Sequence, residues 1–135
     1  MSVSLRVLLT IFGSVEALGG ALVLIDPETV IEVLLGGSVD RGAIIFARFF
    51  GIAIFTLGLA CLMARDHLVN PAGLSLVYSA TSYNLVAAVL IIWVVEGLGL
   101  GGSMHKAAGL GHAALGLLLV RGIILLQRER SRLTA

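Results

Sequence analysis

Five polar side chains stand in stretches that are otherwise largely apolar: Glu16, Arg48, Tyr83, Asn84 and His112. A carboxyl and an imidazole are the ordinary acid and base of proton transfer, and a guanidinium can hold an anionic group or compensate a carboxylate. A phenol and an amide add donors and acceptors that orient the others. Together the five can serve acid–base chemistry on a lipophilic substrate, line a binding pocket, or bond to one another and fix how helices pack. Glu16 states the problem most sharply. It interrupts residues 11–27, IFGSVEALGGALVLIDP, with apolar sequence on both sides.

The elements that must position these groups follow from composition. The chain has 135 residues, 59% hydrophobic and 13% charged, with a mean hydropathy of +1.08, against roughly a quarter charged in soluble domains. Four runs, residues 7–25, 43–64, 72–95 and 105–126, match the roughly 20 residues that cross a bilayer core. The expected fold is all-α, an integral membrane four-helix bundle forming one domain over residues 1–135, with the lipid bilayer as its first partner. Arg6, the apolar stretch after it and the small residues Ala17, Gly19 and Gly20 imitate a secretory signal. Apolar sequence continues through Ile25, so the expectation is a retained span. The single cysteine, Cys61, lies within the second run and excludes an intramolecular disulfide.

Charge sets the expected orientation. Arg6, Arg65, Arg121, Arg128, Arg130 and Arg132 fall on the side of the termini, and only Arg41, Arg48 and Lys106 fall opposite. Basic residues concentrate on the cytoplasmic side, so both termini are expected there. The tail QRERSRLTA reads as an anchor beside anionic lipid, with no nucleic-acid partner expected.

Between the first two runs, DPETVIEVLLGG reads as a short interfacial helix, with Asp26 as N-cap, Pro27 at N1 and Gly36 and Gly37 as its stop. It is too short to span and is either a lid over the bundle mouth or a connector lying in the interface. The third connection, EGLGLGGSMHK, reads as a flexible turn, because no strand precedes it to make a phosphate loop. Trp93 fits an aromatic anchor. His105 is expected at the interface, and His67 in solvent.

Helical spacing puts Glu16 on a small-residue face with Gly13, Ala17 and Gly20, and His112 on a stripe with His105, Gly109 and Gly116. Asn84 falls with Ala80, Thr81, Ala87 and Ala88, and Arg48 with Gly51 and Phe55. Counted from the end opposite the termini, Arg48 lies about 8 Å deep, His112 about 10 Å, Glu16 about 13 Å and Asn84 about 16 Å. An ionisable group turned to lipid is costly, so Glu16 should face inward, and a Glu16–Arg48 ion pair is expected within one polar cluster. The cofactor is unknown. Haem is disfavoured because His105 and His112 share one helix, and a metal because no Glu-x-x-His pair exists.

Arg48-Phe-Phe-Gly51 in the second run, Tyr83-Asn84 in the third and Gly111-His112 in the fourth complete a layout that resembles small bacterial inner-membrane proteins, DoxX-like and related four-helix families. The resemblance covers almost the whole chain through short motifs. It implies a four-helix bundle in the bacterial inner membrane, an accessory or partner of a larger membrane or redox system, and it carries over no catalytic residue. Two functional readings stand. One is a non-enzymatic subunit that packs against another membrane protein or a second copy of itself, or holds a lipophilic small molecule in an outer polar pocket. The other is an intramembrane enzyme acting on a lipid or quinone-like substrate, with Glu16 or His112 as acid or base.

Overall fold

The computed structural model describes residues 3–37, 40–68 and 70–133, so the last two residues of the basic tail fall outside it. Helix α1 runs Val3–Ile25, α2 Pro27–Leu35, α3 Arg41–Ala64 and α4 Pro71–Ile92, which continues into a π-helical turn, Trp93–Gly97; α5 runs Ser103–Leu133. Four of these, α1, α3, α4 and α5, are long and apolar enough to cross a membrane. The chain is an all-α, multi-pass membrane protein.

The spans form an antiparallel bundle. Helix α1 packs most closely on α3, and α4 on α5; α1 also meets α5 and α3 meets α4, leaving α1 and α4 on a diagonal. The α1–α3 contact is made by backbone. A methyl group added at Gly20 would sit 2.5 Å from the Phe55 amide nitrogen and 2.6 Å from the Gly51 carbonyl oxygen. One added at Gly58 would sit 2.6 Å from the Gly13 carbonyl oxygen. Lipid tails are as apolar as side chains, so close van der Waals contact between such small-residue faces drives association in a bilayer.

Helix α2 forms where its sequence signals fall. Asp26 accepts from the Thr29 amide at 3.2 Å, Pro27 occupies N1, and Gly36 ends the helix in the left-handed region at φ 76°. The Thr29 hydroxyl and amide hold the exposed Asp26 carboxyl below the usual carboxylate range. The α4–α5 connection, expected as a loose turn, is pinned to its surroundings. Leu98 and Leu100 donate to Trp93 and Val94 carbonyls at 3.2 and 3.1 Å, and Gly102 donates to Leu34 of α2 at 3.1 Å. Helix α2 is therefore folded over the mouth of the bundle. Trp93 is exposed at this same end.

The apolar core occupies the end near the termini, where Leu5, Leu9, Phe12, Cys61, Leu68, Val77, Ala80, Leu119 and Leu126 pack together. Asp66 of the α3–α4 loop pairs there with Arg6 at 2.8 Å and Arg65 at 3.6 Å. At mid-depth this apolar interior is interrupted by the buried polar residues Glu16 and Asn84.

Candidate functional site

Helix α1 buries Leu5, Leu9, Phe12, Glu16, Gly20 and Val23, spaced by threes and fours, so Glu16 takes a position in the inward seam of the helix. Gly13, Ala17 and Gly20 form the neighbouring face that lies on α3. The buried seam of α4 is Gly73, Val77, Ala80, Asn84 and Ala88. On α5 the corresponding series includes Gly109, His112, Gly116 and Leu119, with His112 half-buried. Counted from the α2 ends of their helices, Glu16, Asn84 and His112 all lie about 12–14 Å deep, close to the middle of a 30 Å core.

Two side-chain pairs meet at this level. The Tyr83 hydroxyl donates to Glu16 Oε2 at 3.2 Å. The Tyr83 ring lies 5.8 Å from Phe12, tilted at 58°, and 5.6 Å from His112, edge-on at 75°. Asn84 Nδ2 donates to the Ala80 carbonyl of its own helix at 2.8 Å, and Asn84 Oδ1 lies 3.0 Å from His112 Nδ1. Reversing the amide would set two oxygens face to face at Ala80, so Oδ1 accepts and Nδ1 carries the proton. His112 Nε2 has no hydrogen-bond partner among the described residues. Glu16 is 5% exposed and Asn84 0%, which removes both from solvent. Thr81 returns its hydroxyl to the Val77 carbonyl at 2.7 Å and takes no part.

The structure thus brings Glu16, Tyr83, Asn84 and His112 into one layer and leaves Arg48 out of it. The expected Glu16–Arg48 ion pair is not formed: Arg48 is exposed and joins no ion pair among the described residues. The cause is the rotation of α3. Gly51 lies against Gly20 and Ile54 faces the interior; Arg48, six residues before Ile54, is turned about 120° away toward lipid. Glu16 is partnered by a phenol where a guanidinium was expected.

Two clefts open at the α2 end. The larger, about 360 Å³, is walled by Leu35, Leu90, Ile91, Val94, Leu100 and His105. The smaller, about 190 Å³, lies between Val95 and Gly109 and is edged by Glu96 and Lys106, which pair at 3.0 Å. Neither takes a wall from Glu16, Tyr83, Asn84 or His112, so these two clefts lie apart from the polar layer. His105, in the first turn of α5, is half-buried and walls the larger cleft. Its Nδ1 is buried without a hydrogen bond, against Gly101, which adopts φ 95°. Its spacing of seven residues from His112 was the available signal, since it sets both imidazoles on one stripe. Among the described residues, no three His, Cys, Asp or Glu side chains gather where they could hold a metal ion.

Fold and site together define a multi-pass, all-α membrane protein with a polar layer at mid-depth and apolar clefts at one end. No family model, curated protein or solved structure matches the chain.

Proposed function

We propose that this protein is a small, non-enzymatic membrane subunit that holds a lipophilic molecule at its α2 end, as an accessory to another membrane protein. The observation that carries this reading is the cleft of about 360 Å³ beneath α2, with five apolar walls and one imidazole. That volume falls in the range of small-molecule sites, about 300–1,000 Å³, and such sites combine apolar lining with few polar groups. The α4 and α5 walls of the cleft continue down to Asn84 and His112, which hold the two helices in register. The resemblance to DoxX-like bundles supports the accessory role and a place in the bacterial inner membrane. The excess of basic residues beside the termini supports cytoplasmic ends.

The test is extraction in mild detergent followed by native mass spectrometry and analysis of bound lipophiles, for the wild type and for Val94→Trp. The wild type should carry a defined lipophile. Val94→Trp, which fills the cleft, should lose it at unchanged abundance. A wild type carrying only bulk membrane lipid, in amounts indifferent to the tryptophan, would overturn the proposal.

One observation favours the enzymatic alternative: among the described residues the Nε2 of His112 has no partner, and its lone pair is available to take a proton. An enzyme should lose turnover of a lipid or quinone-like substrate, but not abundance, on His112→Ala or Glu16→Gln. A structural layer should lose thermal stability instead.

A further inference from the structure

Arg48 is an arginine on the lipid-facing side of a membrane helix with no acid beside it. It is exposed, as is Arg41, and neither joins an ion pair among the described residues. The nearest acid along the chain, Asp40, caps α3 by accepting from the Ala43 amide at 2.9 Å. Seven residues separate the two arginines, so they lie on one stripe of α3, about 10 Å apart along the axis. The residues sharing and flanking that stripe, Ile45, Phe49 and Ile52, are also exposed, which marks the surface as one that faces acyl chains. An uncompensated guanidinium there costs several kcal/mol, so the charge must reach an anion at the bilayer surface.

The direction of reach is fixed by the helix. Cα–Cβ bonds tilt toward the helix N-terminus, and α3 begins at the α2 end. Arg48 therefore leans toward the headgroups of the leaflet on that side, its stem running along apolar surface, and toward Arg41 above it. Two guanidinium forks at two heights on one stripe match an oxyanion that accepts several hydrogen bonds.

We propose that Arg48 and Arg41 hold the phosphate of one phospholipid from the leaflet at the α2 end, with its acyl chains lying along Ile45, Phe49 and Ile52. This site is separate from the cleft beneath α2, and its occupant is distinguished by its phosphate.

The experiment is native mass spectrometry of delipidated protein titrated with phosphatidylglycerol or with a phosphate-free galactolipid of the same chains. Phosphatidylglycerol should add one tightly held molecule and the galactolipid should not. Arg48→Gln should weaken this binding by roughly tenfold, as the loss of one charge-assisted contact implies, and Arg41→Gln by less. Lys106→Gln, at the same end but ion-paired to Glu96, should leave it unchanged. Should Arg48→Gln fold poorly, Arg48→Lys tests the same point by keeping the charge and losing the fork, with weaker retention expected. Equal binding of both lipids overturns the proposal, as does full retention in the arginine variants. Loss of a dimer or of a co-purifying protein on Arg48→Gln, with lipid binding intact, would overturn it in favour of a carboxylate on a neighbouring chain.

Discussion

Tyr83 on α4 donates its hydroxyl to Glu16 Oε2 on α1 at 3.2 Å, across the diagonal of the bundle. The two helices touch little elsewhere, so this bond is the main polar tie across the interior. It also explains how a carboxyl is accommodated in the inward seam of α1 without an arginine.

Tyr83→Phe removes the donor and keeps the ring that packs on Phe12 and His112. It should lower stability in detergent by about 1 kcal/mol, the size of an interhelical hydrogen bond in a membrane protein. Glu16→Gln keeps an acceptor for the phenol and should cost less. Thermal unfolding of the two variants against the wild type checks the order. A Tyr83→Phe protein as stable as the wild type would remove the bond from the stabilising interactions.

The tautomer of His112 is a second consequence. With Asn84 Oδ1 accepting, the imidazole should carry its proton on Nδ1, and nitrogen-15 NMR of the ring distinguishes this from the Nε2 form. Asn84→Leu should abolish the preference while leaving the Tyr83 to Glu16 bond in place. An Nε2-protonated ring in the wild type would require the Asn84 amide to be turned the other way.

Much of this architecture is readable from sequence, and the part that is not has a physical cause. The four spans, the Asp26 cap, the Gly36 stop and the inward turn of Glu16 follow from hydropathy, turn chemistry and the cost of charge in lipid. The partner of Glu16 does not, because charge and depth say nothing of helix rotation. The rotation of α3 is set where its backbone meets α1 at Gly20 and Gly51, and that contact turns Arg48 outward. The glycines were visible in the sequence, and so was the stripe of His105 and His112. What no periodicity reveals is which seam of one helix faces which seam of another.

The α1–α3 contact gives a third prediction. A side chain at Gly20 or Gly58 would meet backbone atoms of the facing helix, which cannot rotate aside as a flexible side chain can. Gly20→Val and Gly58→Val should each destabilise by about 1–3 kcal/mol, read as a lowered midpoint in thermal or denaturant unfolding. Gly19→Val, where an added side chain meets nothing within 4 Å, is the matched control and should change little.

Acid should loosen α2. The Asp26 carboxyl is held below its ordinary range by Thr29, so its contribution is complete from neutral pH down to the ordinary carboxylate pKa. It is lost as the pH falls below about 4 and the carboxyl protonates. Protection of the Thr29 amide, taken against its intrinsic exchange rate at each pH, should fall over that interval. Asp26→Asn, which keeps an acceptor but does not titrate there, should flatten the response. Unchanged protection in the wild type across this range would show that the cap does not govern the start of α2.

The hydrogen bond from Gly102 to the Leu34 carbonyl, at 3.1 Å, fastens α2 through main chain alone. A latch of this kind is indifferent to which side chains sit on either strap: alanine at Gly102 would meet nothing within 4 Å and keep it, and only proline, lacking the N–H, would undo it. Substitutions here other than proline therefore leave the latch in place, and it adds a side-chain-independent tie to the packing of α2 on α1, α3 and α5.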